Sequence, residues 1–287
     1  MSYNKVFIQQ LKTLFENARQ EDIGNGDHTT QACISSKIVG IGKLKIQSSG
    51  VVSGIEVVKQ FLKFVNPKIQ IKTFYTDGTQ VKKDSILLEV HGKVVDLITS
   101  ERIILNTIQR MTGISTLTNQ YVQLIQKYPV KILDSRKTTP NIRILEKEAV
   151  RIGGGYNHRM GLFDAILIKD NHIDCTGGIQ EAINKVNEYQ KINHLKLPII
   201  LEVRNLNEVQ EAIHSKKIQR ILLDNFSPSK IKKALSLING KIKTEASGGI
   251  NLKNIVAYAQ TGVDYISVGS LIHQAQSIDM NFKISLL

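Results

Sequence analysis

Pro198-Ile-Ile-Leu-Glu-Val-Arg-Asn-Leu-Asn-Glu-Val-Gln-Glu-Ala-Ile-His214, followed by Arg220-Ile-Leu-Leu-Asp-Asn225, decides how this chain is built. An apolar run carries Glu202 near its end, a helical segment spans Leu206 to His214, and a second apolar run ends in Asp224. The same unit recurs on both sides. Val130-Lys-Ile-Leu133, Ala165-Ile-Leu-Ile168, Lys241-Ile-Lys-Thr244 and Asp264-Tyr-Ile-Ser-Val268 read as strands. Pro228 to Leu237, behind Ser227, and Leu252 to Gln260, behind Asn251, read as helices. Strands alternating with helices imply a parallel sheet, either a barrel or doubly wound. The Gly-rich turn expected of a doubly wound dinucleotide fold is not in the sequence.

The strand endings carry the chemistry: Asp134-Ser-Arg-Lys137, Lys169-Asp-Asn-His172, Glu202, Asp224-Asn225, Glu245-Ala-Ser-Gly-Gly249 and Gly269-Ser270. In a parallel barrel these ends gather at one mouth, where active sites lie. The last two, Ser247-Gly-Gly249 and Gly269-Ser270, stand where barrels grip phosphate with backbone N–H groups. Asp134-Ser-Arg-Lys-Thr-Thr-Pro140 is either a solvated turn or an anion cradle. In the second case Arg136 offers a planar fork to a carboxylate and Lys137 a compact charge to a phosphate. Glu202 and Asp224, at one mouth, suit ribose hydroxyls or a Mg²⁺ held by phosphates. Glu245 stays open between a structural and a functional role.

A second stretch, Arg151-Ile-Gly-Gly-Gly-Tyr-Asn-His-Arg-Met-Gly-Leu-Phe-Asp-Ala-Ile-Leu-Ile-Lys-Asp-Asn-His172, joins a glycine-rich turn to a His-Arg pair and a strand. His158, Arg159 and Lys169 supply donors for anionic oxygens. His158 and His172 are separated by that strand and lack the further ligands zinc needs, which favours hydrogen bonding for His158.

With 287 residues, 41% hydrophobic and 22% charged, the chain has the make-up of a globular protein with one large or two smaller domains. No apolar run has membrane-spanning length, and the first residues lack the apolar core of a signal peptide. Cys33 and Cys175 fit neither a disulfide framework nor a metal spacing, so the cytoplasm is the expected compartment. The net charge of +13 admits nucleic acid as a partner, but the lysines are scattered and no zinc-finger or RNA-binding aromatic motif accompanies them. The first part mixes an amphipathic helix (Val6, Phe7, Leu11, Leu14, Phe15) with strands at Lys43-Leu-Lys-Ile-Gln47 and Ser85-Ile-Leu-Leu-Glu-Val90, the latter behind an Asp77-Gly78 turn. A helix capped by Ser100 is expected to link two domains. By periodicity alone its Arg102 and Arg110 read as surface residues.

Together these motifs resemble the quinolinate phosphoribosyltransferases (carboxylating nicotinate-nucleotide diphosphorylases) over nearly the full length. The resemblance begins at Glu21-Asp-Ile-Gly-Asn-Gly-Asp27 with Thr29-Thr30 and Gly50-Val-Val-Ser-Gly54. It continues through Glu101-Arg102, Leu105-Asn106, Gln109-Arg110, Thr112-Gly113 and Arg136-Lys-Thr-Thr-Pro140. The 151–172 stretch, Glu202, Leu223-Asp-Asn225, Ser247-Gly-Gly249 and Gly262-Val-Asp-Tyr265 complete it. Arg-Lys-Thr-Thr-Pro combined with Gly-Gly-Gly-Tyr-Asn-His-Arg and Lys-Asp-Asn-His is highly specific. Two positions depart from the family pattern: Asn141 stands where glycine is usual, and Arg204 where an acidic residue is common.

The resemblance implies an α/β fold, an open, incomplete α/β barrel over 114–273 with an N-terminal α/β sandwich domain over 1–113. That first domain includes the linking helix and is joined by segment 274–287. The implied protein is a homodimer that joins quinolinate to phosphoribosyl pyrophosphate in de novo NAD biosynthesis, releasing pyrophosphate and CO2 and leaving nicotinate mononucleotide. By resemblance, Arg102 reaches the neighbouring subunit's site, while Arg136, His158, Arg159 and Lys169 hold the quinolinate carboxylates. Lys137, Glu202 and Asp224 form the implied catalytic set on the donor and its Mg²⁺. Ser247, Gly248, Gly249 and Gly269 would bind the 5-phosphate, with Ser270 and His273 close by. Mg²⁺ is the expected cofactor, arriving with substrate, with Glu202 and Asp224 as its candidate protein contacts. Neither nucleic acid nor membrane is an expected partner. The rival enzymes are a transferase acting on nicotinate, whose single carboxylate needs fewer cations, and a related barrel protein acting on another nucleobase-like ring.

Overall fold

A computed structural model describes residues 5–215 and 217–287. The chain begins with α1 (Lys5–Asp22), α2 (His28–Cys33), β1 (Val39–Ile46), β2 (Gly50–Val51) and α3 (Ile55–Val65). It continues with β3 (Gln70–Thr73), β4 (Gln80–Val81), β5 (Ile86–Lys93) and the 32-residue α4 (Val94–Ile125). Next come β6 (Lys131–Leu133), α5 (Arg143–Ile152), β7 (Ile166–Ile168), α6 (Asp170–Thr176), α7 (Ile179–Ile192), β8 (Ile199–Val203) and α8 (Leu206–Ile213). It ends with β9 (Arg220–Asp224), α9 (Pro228–Ile238), β10 (Lys243–Ser247), α10 (Ile255–Ala259), β11 (Tyr265–Ser267), α11 (Ser270–His273) and β12 (Met280–Leu286). Two compact units result, one of residues 1–119, 138–154 and 271–287, the other of 120–137 and 155–270.

The first unit holds an antiparallel sheet in the order β12-β1-β5-β3, so the end of the chain pairs with the first strand. Alternation in β1 buries Gly40, Gly42, Leu44 and Ile46, and the Phe282 ring of β12 fills the space a side chain at Gly42 would need. Phe15 of α1 meets Phe61 of α3 edge to face, with ring centroids 5.1 Å apart. Ser100 is not a helix cap. The helix begins at Val94, whose N–H bonds to Ile38, because β5 runs straight into it; Ser100 lies buried inside. Arg110 is not a surface residue either. Its guanidinium donates to the fully buried Glu146 at 2.8 and 2.9 Å and to the carbonyls of Ile272 and Ala275, joining α4, α5 and the C-terminal segment.

The second unit is an open α/β barrel. Its six strands are all parallel, in the order β6-β11-β10-β9-β8-β7. The first strand pairs with the last, while β6 and β7, consecutive in sequence, do not pair. Within the seam the glycine-rich segment makes a single parallel bridge, Leu133 to Tyr156. Helix α8 starts at Asn205, whose side chain accepts the Glu208 N–H, and α9 at Ser227-Pro228. Two expected boundaries move. Strand β10 runs to Ser247, which puts Glu245 inside it. Helix α10 starts at Ile255, because Asn251 and Asn254 side chains fold the residues before it into a turn.

Candidate active site

The strand ends of this unit surround a cavity of about 700 Å³. Arg136 and Lys137 reach it from the loop after β6, with the Lys137 N–H held by Ser135 Oγ at 3.1 Å. Lys169 enters after β7, Glu202 from β8, Asp224 from β9, Ser247, Gly248 and Gly249 from the end of β10, and Gly269 after β11. Leu167 and Leu222 provide apolar wall. Ser270 is not among the lining residues; its hydroxyl lies 3.3 Å from Tyr121 Oη. Arg102, exposed on α4, and His273, exposed at the end of α11, belong to the first unit and do not line the cavity.

His158 and Arg159 are placed by two contacts. The buried Asp134 carboxylate accepts the His158 N–H at 2.8 Å, and His158 Nδ1 accepts the Arg159 N–H at 2.7 Å. An Nδ1 that accepts leaves the ring proton on Nε2. That nitrogen faces Glu245 Oε1 at 3.4 Å. Arg159 Nη1 donates to the Ala165 carbonyl at 2.9 Å. Burial and the neighbouring Arg136 charge both lower the Arg159 guanidinium from its ordinary value, with Asp164 opposing them more weakly. No ion pair among the described residues involves Arg136, Lys137 or Arg159.

The acidic side is as crowded. Lys169 Nζ lies 3.5 Å from Glu202 Oε2. Burial raises the Glu202 carboxyl despite Lys169, and the charges of Asp224 and Asp170 raise it further. Asp224 accepts Ser247 Oγ and Asn225 Nδ2, each at 2.7 Å. The rest of the Lys-Asp-Asn-His motif is local structure: His172 Nδ1 accepts the Lys169 N–H at 3.0 Å, fixing the start of α6.

The glycine turn after β10 needs glycine. Gly248 has φ 91° and Gly249 φ 63°, and a Cβ on Gly248 would lie 2.9 Å from the Asn225 backbone nitrogen. Asn251 and Asn254 amides hold the Gly249 carbonyl from behind, at 3.3 and 3.0 Å. Among the described residues the N–H groups of Gly248, Gly249 and Gly269 have no acceptor within the protein, which leaves a nest of donors for an anion.

Sequence reasoning assigned no role to Asp134, and Asn225 and Ser267 drew no separate attention. Asp134 could have been found as a carboxylate directly after an apolar strand, as Asp224 was. Ser267 gives no such signal, being an ordinary strand residue. Both departures from the family pattern have a physical account. Asn141 has φ 68°, a left-handed conformation that asparagine tolerates better than other side-chain-bearing residues. Arg204 pairs with Glu208 at 2.8 Å and Asp174 at 3.0 Å, away from the cavity.

Comparison with known proteins agrees over almost the whole chain. Residues 27–112 match the family model for the quinolinate phosphoribosyl transferase N-terminal domain, and 114–283 that for its C-terminal domain. A probable nicotinate-nucleotide pyrophosphorylase [carboxylating] of Bacillus subtilis is 39% identical over 277 residues, covering 96% of this chain and 94% of the relative. The crystal structure of NadC from Streptococcus pyogenes superposes with a TM-score of 0.92 at 33% identity, covering 100% of both chains. A nicotinate-nucleotide pyrophosphorylase from Francisella tularensis gives 0.89 at 37% identity, covering 99% of this chain and 100% of the other.

Proposed function

The chain belongs to the quinolinate phosphoribosyltransferase family, and from that membership and the cavity we infer how its residues divide the reaction. The enzyme transfers phosphoribosyl from phosphoribosyl pyrophosphate to quinolinate, with release of CO2 and pyrophosphate, giving nicotinate mononucleotide for NAD. The observation that carries the assignment of the acceptor is the pair Arg136 and Arg159. Two adjacent guanidiniums, one partly buried and neither ion-paired, are stabilised together by an anion. With Lys169 they supply enough cations for a dicarboxylate. His158, both ring nitrogens engaged within the protein, acts here by shaping the cluster.

The donor occupies the rest of the mouth. The free N–H groups of Gly248, Gly249 and Gly269, with Ser247, take the 5-phosphate, and Ser270 and His273 flank that end in this reading. Lys137 meets the pyrophosphate. Glu202 and Asp224 face the ribose, where transfer develops positive charge; preorganised carboxylates stabilise it without reorganising. Glu202 and Asp224 also fit Mg²⁺, which takes one or two carboxylates together with substrate phosphates, and a cation between them relieves their repulsion. Bound with the donor, Mg²⁺ would neutralise the departing pyrophosphate. Loss of CO2 leaves an electron pair beside a ring nitrogen made cationic by glycosylation, so the substrate is its own electron sink and positioning dominates.

The same reading makes the protein a homodimer in which Arg102 completes the neighbouring subunit's site, and places it in the cytoplasm. Two exposed cysteines, neither in a disulfide, support the compartment. No helix among the described residues is long and apolar enough to cross a membrane.

The test supplies purified protein, Mg²⁺ and phosphoribosyl pyrophosphate with either quinolinate or nicotinate, and follows nicotinate mononucleotide and CO2. Turnover of quinolinate with stoichiometric CO2 is expected. Turnover of nicotinate alone would overturn the reading.

A further inference from the structure

Parallel barrels fill their interior with apolar side chains. This one places a carboxylate there. Glu245, in the middle of β10, is fully buried. Oε2 accepts Arg220 Nη1 at 2.8 Å, and Oε1 accepts the Ser267 hydroxyl and faces His158 Nε2 at 3.4 Å. Burial acts to raise the Glu245 carboxyl, but bonds from His158, Arg220 and Ser267 outweigh it and hold it below the ordinary range. Arg220 is fixed in turn, its guanidinium 4.1 Å over the Tyr265 ring. An ionised buried carboxylate is costly to keep unless it serves something.

We propose that Glu245 is a positioning residue for acceptor binding, acting through His158 on Arg159. The path is continuous. Glu245 takes the Nε2 proton side of the imidazole, which leaves Nδ1 to accept the Arg159 N–H at 2.7 Å. Asp134 holds the His158 backbone from the other side. Arg159 therefore enters the cavity from a backbone fixed at two successive amides, beside Arg136. Without the carboxylate the ring can flip or exchange tautomers, and a ring with a proton on Nδ1 would oppose the Arg159 N–H instead of accepting it. Glu245 and Ser267 border the same cavity as Lys137, Asp224 and the glycine turn. Yet no hydrogen bond or ion pair among the described residues ties those three to the bonds that hold Glu245, His158 and the Arg159 N–H, so the effect is expected on the acceptor side.

The inference rests on the proposed quinolinate site, and its test separates the two. Glu245→Gln keeps the side chain's shape but removes the charge and one of its two acceptor oxygens, so that an amide NH2 meets either Arg220 or His158 donor to donor. Ring-nitrogen NMR of isotope-labelled, substrate-free protein should show His158 as the Nε2–H tautomer in the parent, and a mixture or the other tautomer in the variant. Steady-state kinetics should show KM for quinolinate raised about 10- to 100-fold, as loss of a hydrogen bond to a charged group implies. KM for phosphoribosyl pyrophosphate should stay within about 2-fold of the parent, as expected if donor binding is independent of this network. Ser267→Ala, which removes one bond to Glu245, should shift the same constant in the same direction by less, and serves if Glu245→Gln does not fold. An unchanged tautomer, or equal changes in both KM values, overturns the proposal. A changed tautomer in a protein that does not turn over quinolinate would overturn the functional reading instead and leave the Glu245–His158 link standing.

Discussion

Glu202 shows what the site costs the fold. Burial and two neighbouring carboxylates raise its carboxyl above the ordinary value of 4.5. Below pH 4.5 folded and unfolded chains both hold the proton, and the group contributes little difference. As pH rises, the unfolded chain releases it first, so stability falls through the window up to the raised value and remains lower above it. Glu202→Gln should therefore raise the melting temperature at neutral pH, with the gain vanishing below pH 4.5. Turnover should fall on the order of 100-fold, the usual loss when one transition-state electrostatic contact goes. A gain that persists in acid would show that charge is not its source. Gly248 makes the opposite case, a residue that the fold needs and that the proposed phosphate site would use. Gly248→Ala forces a side chain into a left-handed turn against Asn225. We expect a loss of about 1–3 kcal/mol in denaturant unfolding. Donor affinity by calorimetry should weaken on the order of 10-fold as the amide nest deforms. Lost stability with unchanged donor affinity would remove the phosphate from this turn.

Elements were legible in the sequence where the apolar run and the strand coincide, as in β8 and β9, whose apolar runs carry Glu202 and Asp224 into the mouth. β10 was not, because Glu245 makes the strand look finished three residues early, at Thr244 instead of Ser247. Its partners Arg220, Ser267 and His158 come from elsewhere in the chain, and no local pattern announces them. The same holds for helix starts. Ser100 looks like a cap, yet α4 continues directly from β5, whereas α3 begins at Gly54, which has no side chain to cap with. That service comes from Asp77, which reads in sequence only as half of a turn. Its carboxylate accepts the N–H groups of Gly54 at 2.7 Å, Ile55 at 2.8 Å and Glu56 at 3.3 Å. Asp77→Ala should destabilise the protein by about 1–2 kcal/mol, the range for losing a helix cap. The midpoint of urea unfolding measures it, and an unmoved midpoint would mean that water replaces the carboxylate without loss.

At the scale of the whole molecule, the proposed sharing of the site between subunits makes a prediction that rests on symmetry alone. In a two-fold dimer each subunit contributes the same surface to the other. If Arg102 of one subunit completes the barrel of its neighbour, Arg102→Ala and Lys137→Ala homodimers each carry one lesion in every site. A mixed dimer then redistributes the lesions. The barrel with native Lys137 receives the native Arg102 of its neighbour, while the other site carries both changes. Random exchange between equal amounts of the two variants makes half the dimers mixed, so activity should recover to about a quarter of the parent. If Arg102 instead served its own subunit's barrel, every site in the mixed dimer would keep one lesion and no activity would return. The measurement is turnover after co-refolding, with subunit exchange confirmed by native mass spectrometry of differently tagged chains. Exchange without recovery would remove Arg102 from the neighbouring site and leave the rest of the acceptor cluster, Arg136, Arg159 and Lys169, to hold both carboxylates within one subunit.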